Sequence, residues 1–268
     1  KTAALSLATG KALSINLSET NNDPGTATDT YVWNGTGGTS WTSNTSWTPN
    51  VTTGNAPGQG TNVGVNVIIP QTGNQPIATG LTLSLNDMTI GNGAVLTLAT
   101  TTNLTITGTL LNNNYLGTNN GLTWSGTPTL TYTGTGKLIA PGNYYNLVFS
   151  GATSPILSPV GIIRVSNTFN PVNSGVTYTG STIWFNGASQ NSIPAFDYFN
   201  HVIFGNAGTS LTLAGAIKIY GDLTIHTATF SDGGYQITGP GTGSGTMSYT
   251  PASSSRTYNG SYAGAKAL

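Results

Sequence analysis

Proton-moving chemistry in this chain would have to come from seven carboxylates, Glu19, Asp23, Asp29, Asp87, Asp197, Asp222 and Asp232, and two histidines, His201 and His226. A polysaccharide hydrolase or lyase needs two carboxylates, or a carboxylate and a base, facing one groove. Here the acids are scattered and have turn explanations: Asp232 precedes Gly233-Gly234, and Asp197 lies near Pro194. His226 alternates outward from the run Leu223-Thr224-Ile225, where a solvated or hydrogen-bonded surface histidine is the expected reading. Cysteine is absent, which removes thiolate chemistry and disulfides. No His, Cys or carboxylate cluster has metal-ligand spacing, and Gly- and Asp-rich calcium-binding repeats are missing. The expectation is no catalytic residue, no metal site and no cofactor.

The elements that would position any such group are written as a repeat. Met88-Thr89-Ile90-Gly91, Leu96-Thr97-Leu98 and Leu104 to Leu110 form a first copy. Leu147-Val148-Phe149-Ser150, Ile156-Leu157 and Ile163 to Phe169 form a second, and Val202-Ile203-Phe204-Gly205, Leu211-Thr212-Leu213 and Ile217 to Leu223 a third. Copies spaced 54 to 59 residues that keep their internal register are a solenoid signature, with roughly two coils expected per copy. In this alignment Asp222 falls where Thr168 and Thr109 stand, and His201 where Asn146 and Asp87 stand. Residues that change type so freely read as turn positions. The spacing predicts that Met88, Leu147 and Val202 point inward at comparable places, as do Ile106, Val165 and Ile219.

Charged residues make up 5% of the 268, against about 25% in an ordinary soluble domain. Seven Lys or Arg balance seven Asp or Glu, and no two basic residues are adjacent, which excludes the polycation needed for nucleic acid. No window approaches the ~20 apolar residues of a membrane helix. The polar residues are Thr, Ser, Asn and Gly among short alternating runs of Val, Ile, Leu and aromatics, so the chain is expected to fold through strand ladders. A neutral hydroxyl and amide surface offers no long-range repulsion between copies and suits extracellular or cell-surface material.

Four segments follow from the punctuation. Residues 1–30 carry two alternating runs within residues 1–18 and a turn-rich connector around Asn21-Asn22-Asp23-Pro24-Gly25; they are a candidate donor strand. Residues 31–76 hold three of the five tryptophans, Trp33, Trp41 and Trp47, read first as a cap over the open end of the core and second as a sugar-stacking platform. Residues 77–250 are the repeat body, and 251–268 a terminal strand or tail. The fold class expected is all-β, a right-handed parallel β-helix with N-terminal strands and a cap, with a β-sandwich array as the alternative. The Asn112-Asn113-Asn114 and Asn119-Asn120 runs are read as turns in preference to amide ladders inside the stack.

Tyr31-Val32-Trp33-Asn34-Gly35, Ser46-Trp47, Asn66-Val67-Ile68-Ile69-Pro70, Gln75-Pro76-Ile77 and the run Leu104-Thr105-Ile106-Thr107-Gly108-Thr109-Leu110 resemble large secreted surface proteins of Bacteroidetes. Those carry Trp-Asn-Gly, Ser-Asn-Trp and a Val-Thr-Ile-Pro strand ahead of β-helical repeats. Tyr144-Tyr145-Asn146-Leu147 and Tyr198-Phe199-Asn200-His201 resemble that family's Tyr-Asn-Asn-Leu repeat. The resemblance covers about residues 31 to 240 and implies export, cell-surface attachment or release, and service as adhesin stalk or filament. It departs in lacking the family's sorting domain within 251–268 and in placing Thr45-Ser46-Trp47 where Ser-Asn-Trp is usual.

The leading functional reading is therefore a structural subunit of an extracellular fibre or adhesin stalk, whose partner is itself, head to tail, through strand addition by residues 1–18. A carbohydrate-binding surface module comes second, with a surface polysaccharide as partner and Trp124, Tyr132, Tyr144, Tyr145, Trp184 and Tyr198 as candidate rings. A carbohydrate-active β-helix enzyme ranks last, so no enzyme is expected.

Overall fold

A computed structural model describes residues 29–115, 120–151, 153–187, 192–205, 210–226 and 229–239, and the strands Met247–Tyr249, Arg256–Thr257 and Tyr262–Ala263. The donor-strand reading of residues 1–18 lies outside the described residues. The described chain is all-β, without a helix, and its parallel strands stack as a β-solenoid of about eight turns. Strand Thr82–Ile90 shows how the sequence makes a coil. Its Leu83, Leu85, Met88 and Ile90 are buried while the residues between them face outward, and the phase slips once, at Asn86-Asp87. Alternation buries one side of the ribbon, and a parallel partner requires the chain to travel around the other faces before returning.

The largest sheet runs from Thr30–Trp33 through Val65–Ile69, Thr82–Ile90, Asn103–Ile106, Thr129–Tyr132, Gly142–Phe149, Ile163–Asn170, Thr182–Phe185 and His201–Phe204 to Leu223–Ile225 and Met247–Tyr249. Shorter sheets close the coils. One comprises Ile77–Thr79, Leu96–Thr100 and Leu122–Gly126; further along, Ser210–Thr212 pairs with Thr229–Ser231, and Phe196–Phe199 with Ile217–Ile219. Inside, equivalent side chains stack in columns: Leu83, Leu104, Leu130, Leu147 and Phe169 form one, and Tyr144, Val165, Phe185, Phe204 and Ile225 another. Each buried Leu or Phe contributes about 1.5–3 kcal/mol relative to exposure.

The registers correct the expected coil count. Three steps of the sheet, not two, lead from Thr82–Ile90 to Gly142–Phe149, and three more lead to His201–Phe204. A copy of the sequence repeat therefore spans three coils, because a coil is shorter than the spacing suggested: paired residues are 21 apart at Leu83 and Leu104 and 19 apart at Thr182 and His201. Met88, Leu147 and Val202 are all buried in the large sheet but occupy different columns, Met88 stacking on Val67 and Leu110, and Val202 between Ile183 and Leu223. Ile106 and Val165 are buried in that sheet too, whereas Ile219 is buried in the sheet of Phe196–Phe199. Bulges, such as the one between Tyr144 and Asn146, absorb the slippage that separates sequence register from spatial register.

At the N-terminal end, the loop after Trp33 folds over the first coils. Trp47–Thr48 pairs antiparallel with Val32 and Trp33, and Ser40 bridges to Ile77, where Trp41 N–H donates to Ile77 O at 3.0 Å. Trp33, Trp41 and Trp47 are fully buried and meet edge to face at 4.9 and 4.7 Å. Each indole N–H donates to a backbone carbonyl, of Asn74, Pro57 and Trp41 respectively. Their faces are thus in the core and unavailable to a sugar.

Candidate functional site

The chemistry-bearing side chains converge on one structural device. At one place in each copy a backbone N–H of the next coil is taken by a side-chain acceptor; at Asn146 the ladder shifts register there. Asp87 Oδ1 accepts Thr109 N–H at 2.6 Å, Asn146 Oδ1 accepts Thr168 N–H at 3.2 Å, and His201 Nδ1 accepts Asp222 N–H at 3.2 Å. These are the residue pairs that the sequence repeat aligned. Asn66 does the same one coil before Asp87, its Oδ1 accepting both Asp87 N–H and the Asn86 amide, as Asn146 Oδ1 accepts the Asn167 amide. The backbone presses close here: a Cβ on Gly108 would lie 2.2 Å from Asp87 Oδ1, and one on Gly221 2.9 Å from the His201 ring.

Asp222 Oδ2 also lies 3.0 Å from His201 Nδ1, with side chains 39% and 42% exposed, so this nitrogen accepts the Asp222 N–H when unprotonated and can donate to Oδ2 only when protonated. A solvated His–Asp pair is general acid–base material. Yet both of its members have structural work in common with Asp87, Asn146, Thr109 and Thr168. Of the other candidates, Asp232 is buried and its Oδ1 accepts Gly234 N–H at 2.9 Å, as its turn context predicts. Exposed Asp197 receives Asn173 Oδ1 on its own N–H, and half-buried His226 ends strand Leu223–Ile225 with its N–H on Phe204 O. Among the described residues no three His, Cys, Asp or Glu side chains gather as a cation site would require.

The aromatic candidates divide. Tyr132 and Tyr144 are buried and joined in a closed circuit: Ala140 N–H donates to Tyr132 Oη, Tyr132 O–H to Tyr144 Oη at 3.1 Å, and Tyr144 O–H to Ala140 O at 2.7 Å. Burial pushes both phenols well above their ordinary range; Tyr132 adds to the rise at Tyr144, whereas the bonds to Tyr144 and Ala140 offset part of it at Tyr132. Trp124 and Tyr145 pack edge to face at 4.9 Å, and Trp184 donates its indole N–H to Gly205 O under the Arg164 guanidinium, 5.3 Å from its ring. Tyr198 belongs to a corner that sequence reading missed: Tyr178 and Tyr220 stack at 4.3 Å, Tyr198 lies 5.9 Å from Tyr178, and the Lys218 ammonium is 4.8 Å from the Tyr220 ring. The Tyr220 hydroxyl, more than any other neighbour, holds the Lys218 ammonium above its usual range. Tyr178, Tyr198 and Tyr220 are each half-buried.

The turn reading of the asparagine run holds for Asn113 and Asn114, which follow strand Leu110–Asn112 in a turn, but not for Asn112, which belongs to the strand. Asn112 and Asn114 are buried in the stack, where the Asn112 amide donates to Asn120 O and Pro141 O, and the Asn114 amide to Ala94 O of the preceding coil. Asn120, at φ 50° ahead of Gly121, does occupy a turn.

The chain matches no protein-family model, no curated protein and no solved structure. The β-helical architecture that the Bacteroidetes resemblance implies is present.

Proposed function

We propose that this chain is a structural rod, a subunit of an extracellular fibre or of a cell-surface adhesin stalk, with no catalytic role. The carrying observation is the shared use of its acid–base groups: Asp87, Asn146 and His201 hold the same coil-to-coil hydrogen bond, so the residues richest in chemistry serve stacking. The near absence of charge and the motif resemblance to secreted surface proteins support the same reading. Trp47–Thr48 and Ser40 already cover sheet edges at the N-terminal end. Strand addition is therefore directed to the other end, where residues 1–18 of one copy would extend the last coil of the next, and a head-to-tail contact of that kind yields open filaments.

Electron microscopy and sedimentation of the full chain and of a variant lacking residues 1–18 test this. Fibres from the full chain and a folded single rod from the variant are expected. Fibres from both would remove the donor strand, and reducing ends or unsaturated products released from pectin, alginate or β-glucan, lost in Asp222→Asn, would replace the rod with an enzyme.

A further inference from the structure

Tyr178 and Tyr220 stand two steps apart in the stack and yet touch. Tyr178 lies four residues ahead of Thr182–Phe185 and Tyr220 three ahead of Leu223–Ile225, with His201–Phe204 as the strand between them. Coils repeat about every 4.8 Å, so rings on alternate coils meet only where their side chains lean together. Here they stack at 4.3 Å with planes 24° apart, and a side-chain hydrogen bond joins their hydroxyls. Both rings are half-buried, so the pair is reached from solvent. Tyr132 and Tyr144 also bring two hydroxyls together, at 3.1 Å, but in the core. Tyr235 is exposed and stacks on no ring among the described residues.

We propose that Tyr178 and Tyr220 are a covalent cross-linking site, coupled carbon to carbon into a dityrosine by hydrogen peroxide acting through a haem peroxidase. Each phenol gives up one electron and its hydroxyl proton, and the two phenoxyl radicals couple through the Cε carbons beside their oxygens. One C–C bond forms and one C–H bond breaks on each ring. The hydrogens displaced from carbon move to the oxygens, restoring two phenols, while the peroxide takes up the two electrons and two protons first released and becomes two waters. Coupling is favoured between rings already held in place, and a stack fixed by a hydrogen bond supplies that orientation before oxidation. The same bond sets the hydroxyls side by side, which brings the flanking Cε carbons to one another. The chain has no cysteine, so no disulfide can tie its coils. A bond between residues 178 and 220 would clamp three successive coils and restrict the unfolded chain as a disulfide does. The proposal does not rest on the rod, since it concerns groups within one chain.

The test treats the full chain, in dilute solution, with a haem peroxidase and hydrogen peroxide, and follows dityrosine fluorescence, intact mass and the identity of the cross-linked peptides. The expected product is a single chain lighter by two hydrogens, with the peptides of Tyr178 and Tyr220 joined and a denaturation midpoint above that of the untreated chain. Tyr178→Phe and Tyr220→Phe keep the ring and lack the phenol, so each should lose this product with an unaltered circular dichroism spectrum. Tyr235→Phe should leave it unchanged. No dityrosine in the parent, a link mapped to other tyrosines, a link formed only between chains, or a yield that survives in Tyr220→Phe would overturn the proposal.

Discussion

The two halves of the solenoid fill the same kind of interior with different materials. From Val65 to Leu130 the columns are aliphatic, as in Leu83, Leu104 and Leu130, and buried amides and a hydroxyl tie the coils together: Asn112, Asn114 and Thr102, whose Oγ1 donates to Ala78 O at 2.8 Å. From Phe149 to Phe230 the interior is aromatic, with Phe169 edge to face against Phe149, Phe185 and Phe196, and Phe204 stacked on Phe230. Coil length is not the cause: paired residues are 21 apart at Leu83 and Leu104 in the first half and 21 apart at Val202 and Leu223 in the second. The difference lies in the side chains: rings in the second half pack against rings of neighbouring coils, whereas in the first half buried Asn and Thr satisfy carbonyls between aliphatic columns.

The largest way to break this comparison is to empty an aromatic position. Phe169→Ala should cost about 3–5 kcal/mol and lower the urea midpoint accordingly, because four rings pack on Phe169 and cannot all move into the void. Leu104→Ala in the aliphatic columns should cost less, about 2–3 kcal/mol. Equal losses at both sites, or a smaller loss at Phe169, would mean that the rings contribute no more than the aliphatic columns.

Alkali should act next, at the boundary between the halves. Tyr132 and Tyr144 are weaker acids in the folded chain, their pKa values pushed above the ordinary tyrosine value by burial. The unfolded chain therefore releases those protons first, and their contribution, complete below about pH 10, declines as pH rises from there toward the folded values. Denaturant midpoints measured against pH should fall in the alkaline limb, and more gently in a Tyr132→Phe, Tyr144→Phe variant than in the parent.

Smaller effects separate the amide half from the bulges. Asn112→Ala orphans the Asn120 and Pro141 carbonyls and should cost about 1–3 kcal/mol. His201→Leu should lose about 1 kcal/mol, while His201→Asn should change stability by less than about 0.5 kcal/mol, since Asn146 does the same work in the preceding copy. A large loss in His201→Asn, seen by chemical denaturation, would mean that the imidazole is doing more than accepting one N–H.

The sequence alone determined the class of the fold, because alternation in Val65–Ile69, and on either side of the slip in Thr82–Ile90, points to half-buried strands, and copies in register without helices point to stacked strands. It also aligned Asp87, Asn146 and His201, but read them as turn positions; they lie in strands Thr82–Ile90, Gly142–Phe149 and His201–Phe204, each accepting an N–H from the next coil, a role that only the stacking reveals. The burial of Trp33, Trp41 and Trp47 was legible as a cap because an open coil end needs apolar cover. Tertiary structure alone decided the number of coils per copy: a single bulged residue shifts the spatial register while leaving the spacing of the copies intact, which is how Ile219 comes to a different sheet from Ile106 and Val165. It decided that Asn112 and Asn114 lie within the stack, since whether an amide meets water or a carbonyl depends on residues about 20 to 30 positions away.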